Sequence, residues 1–446
     1  VTISCILVTS IMSSDPNEDR RDALPLGLWS RASATGRIAM RLGMTGASRL
    51  FGARDADAKL GETLLAELDQ LKGMAMKVGQ ILSYMDVGLP DEVTVRLAEL
   101  RRGVQPLAFD AIAEVVEGEL GRPLGALFAS FEERPIAAAS IGQVHRARTF
   151  EGASVAVKVR YPGIVETMEA DFAQLDRLGR LAGAFTAVDG RALVRELHAR
   201  VLEECDYARE ADWQRRFGAL FAGDPGITVP AVHADLSATA VLTTRFHEGS
   251  DFDAFRLAAS PAAREAAAQA LLRLTFRPLF ERGMLHADPH PGNQLYLEGG
   301  AVVALDFGCV RAFEPDFVER YRRFSLAVLD GDRSRFRELS IELGLAPRPE
   351  RIDFDELFGL YRWLHEPLLR PGFELTREWW LRGRVYTSPK AKNGRHQGFP
   401  PEWIWLQRAQ WGLWAVLVKL GARGDFATSY RELVGERRAD AESLLR

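Results

Sequence analysis

A two-lobed α+β fold is predicted for this chain: a small five-stranded first lobe, a mostly helical second lobe, and a helical extension ahead of both. Three observations carry the prediction. From about residue 36 to 120 apolar residues recur at helical spacing, with Leu64, Leu65, Leu68, Leu71, Met74 and Met76 three or four apart. Residues 131–160 then switch to strand-like, β-branched content. From residue 251 onward the pattern is helical again, interrupted by two short strands near residue 300.

Taken in order, residues 1–35 read as a mobile lead containing Asp15-Pro16-Asn17-Glu18-Asp19-Arg20-Arg21. Val1–Ile11 is apolar but short of the ~20 residues that span a bilayer, and it has no basic start, so a native start at Met12 is expected. Residues 36–125 form the helical extension, punctuated by Pro90 and Pro106. Residues 126–248 form the first lobe. Its expected strands are Phe131–Ile136, Val144–Phe150, Val155–Arg160, Thr228–Val232 and Ala240–Phe246, with a helical insert from about 164 to 222. His247-Glu248-Gly249-Ser250 reads as a hinge, and residues 249–446 form the second lobe and C-terminal helices.

With 446 residues and 47% hydrophobic content, the chain can bury one large bilobal core. A net charge of −4 gives no case for nucleic acid as a partner. Cys5, Cys205 and Cys309 are too few and scattered for a disulfide framework or zinc site, so a reducing, cytoplasmic-type compartment is expected. Trp403, Trp405, Trp411 and Trp414, flanked by Arg408 and Lys419, carry two readings. A core helix is favoured over a helix lying on a membrane surface.

The chemistry is concentrated in His286-Ala287-Asp288-Pro289-His290-Pro291-Gly292-Asn293, followed by Asp306-Phe307-Gly308. The first has the H-x-D-x-x-x-x-N spacing of a kinase catalytic loop, and the second reads as a D-F-G element. Asp288 is expected to accept a hydroxyl proton or orient the nucleophile. Asn293 and Asp306 are expected to hold Mg²⁺ against the phosphates of ATP or ADP. Two short strands, Gln294–Leu297 and Val302–Leu305, join these motifs through a turn at Glu298-Gly299-Gly300. His290 either contacts phosphates or caps the loop.

Upstream, Ser154-Val155-Ala156-Val157-Lys158-Val159 looks like the strand whose lysine pairs with the α- and β-phosphates. Ahead of it, Ala137-Ala138-Ala139-Ser140-Ile141-Gly142-Gln143-Val144 fits the glycine-rich loop template. Ala137 and Ala139 replace its first two glycines, and Gly142 and Val144 are kept. Alanine lacks glycine's freedom at positive φ, so this ATP-binding lid is altered.

These residues resemble the UbiB/AarF-type atypical kinases, which are linked to ubiquinone biosynthesis. Lys77-Val78-Gly79-Gln80 matches their K-x-G-Q signature, Ala137–His145 their alanine-rich loop, and Glu204-Cys205-Asp206-Tyr207-Ala208-Arg209-Glu210-Ala211 their E-x-D segment. The resemblance covers roughly residues 50–330 and implies a bilobal protein-kinase-like fold. It implies that Lys158 pairs with Glu210, that Asp288 is the catalytic aspartate, and that Asn293 and Asp306 are metal ligands. It also implies that Lys77, Gly79, Gln80, Glu204 and Asp206 gate the site where a peptide would dock, suppressing protein phosphorylation. The expected partners are ATP, a lipid or isoprenoid small molecule, a membrane surface on the inner face, and other quinone-biosynthesis proteins.

Three departures from ordinary protein kinases stand out. Lys158 and Glu210 are 52 residues apart, no A-P-E follows Asp306-Phe307-Gly308, and Ala287 replaces the usual arginine before the aspartate. Two alternatives stay open. The loop also fits the H-x-D-x-H-x-x-N pattern of small-molecule kinases of the aminoglycoside or choline type. The altered lid also suits a nucleotide-binding scaffold without useful turnover.

Overall fold

The structure is a computed structural model that describes residues 106–138, 141–170, 202–387, 391–394 and 396–435, together with Phe172 and His198. The predicted signature at Lys77, Gly79 and Gln80, most of the extension and most of the helical insert lie outside the described residues, as do Ala139 and Ser140.

The first lobe opens with α1 (Phe109–Leu120) and a single turn, α2 (Leu124–Leu127). Ile112 and Val116, four apart on one face of α1, are fully buried, and Gly121 ends the helix at φ 67°. That face lies on the sheet formed by β1 (Ser130–Phe131), β2 (Ala137–Ala138), β3 (Gly142–Arg148), β4 (Ser154–Arg160) and, after helix α3 (Tyr207–Leu220) and β5 (Ile227–Thr228), β6 (Val241–Arg245). The order is β1-β3-β4-β6, antiparallel, with β2 also on β3. Alternation in β4 decides which side chains serve which purpose. Val155, Val157 and Val159 enter the core with Ile112, Val116 and Val241, so Ala156 and Lys158 face the other way.

The sheet has the predicted five strands, with two corrections. Phe131–Ile136 is not one strand: Pro135 and the charged run before it split that edge into β1 and β2. Thr228–Val232 does not join the sheet. Its start, β5, runs parallel to a strand of the second lobe, Val302–Ala304, and only its end meets β6, through a bridge from Val232 to Thr244 and a hydrogen bond from Arg245 N–H to the Ala231 carbonyl. Strand propensity identified the residues as extended but not their partner.

The second lobe is built on α4 (Phe252–Ala258) and the long α5 (Pro261–Arg282), capped by Ser260 and ended by Gly283 at φ 62°. Four short strands follow: β7 (Met284–His286), β8 (Gln294–Tyr296), β9 (Val302–Ala304) and β10 (Val310–Ala312). Strands β8 and β9 pair antiparallel around Glu298–Gly300, as predicted, and β7 pairs with β10. This brings the His286–Asn293 loop beside Asp306-Phe307-Gly308. Helices α6 (Pro315–Asp330), α7 (Arg333–Glu342), α8 (Phe354–Leu364), α9 (Arg377–Arg382), α10 (Pro401–Leu420) and α11 (Phe426–Gly435) complete the lobe. Strands β11 (Phe373–Glu374) and β12 (Arg423–Gly424) pair at its far end.

Helix α10 is the core helix expected from the tryptophan cluster. Trp403 and Trp414 are fully buried and Trp411 nearly so, packed with Tyr321, Phe324, Tyr361 and Trp363. The membrane-surface reading of this helix is therefore overturned: its aromatic face is occupied by its own domain. Among the described residues no helix is long and apolar enough to cross a membrane.

Candidate functional site

The cleft between the lobes gathers charges from five separate segments. Lys158 extends from β4, and its ammonium donates to both carboxylate oxygens of Glu210 on α3, each at 2.9 Å. It also reaches Asp306 Oδ2 at 3.2 Å. Glu210 is buried, and removing one partner from such a pair costs roughly 3–5 kcal/mol because the other charge is stranded. Burial alone would discharge Lys158. The carboxylates of Asp306 and Glu210 outweigh it and hold the pKa well above the usual lysine value. Burial likewise opposes charge on Asp306, but Lys158 and the Gly308 N–H (3.0 Å) prevail and bring its pKa to about 2.

Helix α3 is fixed by its own cap. Asp206 accepts hydrogen bonds from the N–H groups of Ala208 and Arg209. Two turns further along the helix from Glu210, Phe217 packs edge and face against Phe307 (5.1 Å) and His286 (6.2 Å), which themselves meet at 5.5 Å. The His286 imidazole also lies 2.6 Å from the Asp306 carbonyl. This aromatic triangle locks α3, the D-F-G turn and the His286–Asn293 loop into one arrangement.

Within that loop, Asn293 Nδ2 donates to Asp288 Oδ2 at 3.0 Å, and His290 Nδ1 accepts from Gly292 N, so His290 acts as a loop cap here. The other oxygen of Asp288 is held at 3.0 Å by Arg408 of α10, 120 residues away in the chain. Burial pushes the Asp288 pKa up, but Arg408 more than offsets it and the carboxyl stays below its ordinary range. Four residues along the same face, Gly412 meets Pro289. A Cβ on Gly412 would lie 2.1 Å from Pro289 Cγ, so only glycine lets the helix lie against the loop.

The profile of the ABC1 atypical kinase-like domain matches residues 99–340, more than half of the chain. The chain belongs to the ABC1 atypical kinase-like family. Relatives in this family include the rat mitochondrial atypical kinase COQ8B, 35% identical over 63% of this chain and 54% of that one. The atypical kinase COQ8 of Schizosaccharomyces pombe is 32% identical over 72% of this chain and 55% of that one. The chain thus spans about half the length of these curated relatives. An uncharacterised Synechocystis protein, slr0889, is 30% identical over 71% of this chain and 79% of its own length. The solved complex of Rv3197 with erythromycin from Mycobacterium tuberculosis has 29% identity and a TM-score of 0.64, covering 89% of this chain and 98% of that one. The family membership and this likeness establish the bilobal, protein-kinase-like fold and the UbiB-type atypical kinase class.

In this ABC1-family chain the structure brings Lys158, Glu210, Asp288, Asn293 and Asp306 to one cleft. Val144 pairs with Lys158 across the sheet, and Ala137 and Ala138 form the exposed edge strand β2. Gly142 is required by packing: a Cβ there would meet the Val159 carbonyl at 2.3 Å and the Tyr207 hydroxyl at 2.7 Å. Asp206, predicted as a gating residue, spends its side chain on the α3 cap; Glu204, the other gating residue described, is half-buried just ahead of it. Sequence reasoning missed Arg408, Phe217 and Gly412. The one local hint was Ala287, which leaves the aspartate without its usual neighbouring arginine.

Proposed function

We propose that this chain binds Mg²⁺-ATP in the cleft and hydrolyses it, or passes its γ-phosphoryl group to a small or lipid-like acceptor. The reading extends to a role in isoprenoid-quinone metabolism at a membrane face, which rests on the resemblance to UbiB/AarF-type kinases. The observation that carries the chemistry is the convergence of Lys158, Glu210 and Asp306 with the Asp288–Asn293 pair.

The donor set fits magnesium. Asp306 and Asn293 offer hard oxygen ligands, and Asn293 already points its nitrogen at Asp288, leaving the amide oxygen for the cleft. Among the described residues no three His, Cys, Asp or Glu side chains form a metal cage. A two-residue site suits magnesium, which takes its remaining ligands from phosphate and water. When bound, the ion would neutralise phosphate charge as the transfer proceeds.

The chain's own residues do the rest. Lys158, held charged by its two carboxylates, offers a fixed cation to the phosphates. Glu210 keeps that cation forward in the cleft. Asp288 has its basicity reduced by Arg408, which suits it to orienting a water or hydroxyl more than to removing a proton early. Positioning and charge neutralisation then supply the catalysis.

The test is Mg²⁺-ATP hydrolysis by the full chain with and without anionic liposomes, beside Asp306→Asn. Hydrolysis that rises with lipid and vanishes in the variant supports the proposal. Turnover in Asp306→Asn close to the parent's refutes the metal-ligand role. Rapid phosphorylation of a soluble alcohol moves the assignment to a small-molecule kinase, and tight ATP binding without turnover moves it to a scaffold.

A further inference from the structure

Lys158 has a fourth neighbour to which no role has been given above. Three of its contacts are carboxylate oxygens, two from Glu210 and one from Asp306. On another side its ammonium nitrogen lies 4.8 Å from the centre of the Tyr207 ring, within the range of a cation–π contact. Tyr207 is fully buried. It is the first residue of α3, immediately after the Asp206 cap and one turn before Glu210.

Its backbone ties it down, while its hydroxyl does not. The Tyr207 N–H donates to the Thr239 carbonyl, just ahead of β6, at 3.0 Å. The hydroxyl has no hydrogen-bond partner and lies where a side chain at Gly142, at the start of β3, would have to sit. A buried, unpartnered hydroxyl is a standing cost, so hydrogen bonding does not account for the choice of tyrosine. What the residue supplies is a rigid aromatic wall between the lysine strand, the strand leaving the alanine-rich loop, and the helix that carries Glu210.

We propose that Tyr207 is a positioning residue for Lys158, its ring face holding the ammonium in the cleft and fixing its distance from the alanine-rich loop. The inference deepens the Mg²⁺-ATP reading and rests on it for its kinetic consequence, but the placement of Lys158 is measurable without turnover. Without the ring the ammonium keeps its carboxylates but gains room to shift about them. Nucleotide phosphates then meet a displaced cation.

The experiment compares Tyr207→Leu with Tyr207→Phe in the full chain, with selective ¹³C labelling of the lysine ε-carbons. The chain has few lysines, and Lys158→Met identifies the Lys158 signal. The expected result is an upfield ring-current shift of the Lys158 ε-protons in the parent and in Tyr207→Phe, lost in Tyr207→Leu. In parallel, KM for Mg²⁺-ATP, or its Kd by calorimetry, rises by up to roughly 30-fold in Tyr207→Leu, the limit set by losing a desolvated cation–π contact. Tyr207→Phe restores it. A merely structural role would lower the melting temperature and the active fraction while leaving KM unchanged. An unshifted Lys158 signal in the parent overturns the proposal, and so does parental KM and Kd in a folded Tyr207→Leu. If the parent shows no ATP turnover but the Lys158 signal and the nucleotide Kd respond as described, the activity reading fails and the positioning role stands.

Discussion

Replacing Gly412 by alanine should disable the site from a helix that carries none of its predicted motifs. The new methyl would lie 2.1 Å from Pro289 Cγ and 3.1 Å from Pro289 Cβ, where ordinary contact begins near 3.4 Å. Either α10 or the loop must retreat by about 1.3 Å, measured against that same contact limit. Helix α10 is anchored by Trp403, Trp411 and Trp414 in the core, whereas Pro289 sits on a partly exposed loop, so the loop moves. Asp288 is the adjacent residue, and a misplacement of about 1 Å costs on the order of 10²-fold in rate. Stability changes much less. Overpacking costs about 1–3 kcal/mol, while exchanging glycine for alanine inside a helix returns about 1 kcal/mol. The assay pairs ADP release under saturating Mg²⁺-ATP with thermal unfolding. The expected outcome is turnover reduced about 100-fold and a small change in melting temperature. Adding Pro289→Ala, which removes the atom struck first, should recover part of the rate. A folded Gly412→Ala protein with turnover within twofold of the parent would refute the idea that α10 sets the position of the loop.

Two further predictions concern charge. Arg408→Met removes the cation that holds the Asp288 pKa down, so the acid limb of the pH–rate profile should move to higher pH. An unmoved limb would show that the pair does not control the ionisation of Asp288. His365, buried against Tyr361 and Ser325, has its pKa lowered from 6.5 to about 4, chiefly by burial. Below pH 6.5 the unfolded chain binds the proton before the folded one, so this contribution is complete above pH 6.5 and lost as pH falls toward 4. The loss amounts to roughly 3 kcal/mol. His365→Gln should flatten the melting-temperature curve across that window, and a parallel curve would mean that His365 does not carry the acid sensitivity.

The sequence made legible whatever is encoded locally. Lys158 could be read because it interrupts a β-branched strand, and Asp288, Asn293 and Asp306 because one short hairpin sets their spacing. Both lobes followed from periodicity. Strand partnership did not: Thr228–Val232 has the composition of a first-lobe strand, yet β5 pairs with β9, a choice made by tertiary packing. Arg408 and Gly412 were illegible for the same reason. Their significance depends on where α10 lands, 120 residues beyond Asp288, and nothing in the helix's own pattern separates the face on the loop from the face in the core. The tryptophans showed the opposite case, since four of them within one helix favoured burial, and three are buried.

The clamp formed by Arg408 and Gly412 also orders events in time. A ribosome adds about 5–20 residues per second, so the segment containing Asp288 emerges on the order of ten seconds before Arg408 exists. Throughout that interval every residue with a proposed role in phosphate chemistry has been synthesised, but the loop has neither its counter-charge nor its supporting helix. On the proposed reading, the loop is expected to reach its working position only once the second lobe has closed. A nonsense mutation or proteolytic cut ahead of Arg408 would leave a fragment bearing all the recognisable motifs, and such a fragment should release no ADP.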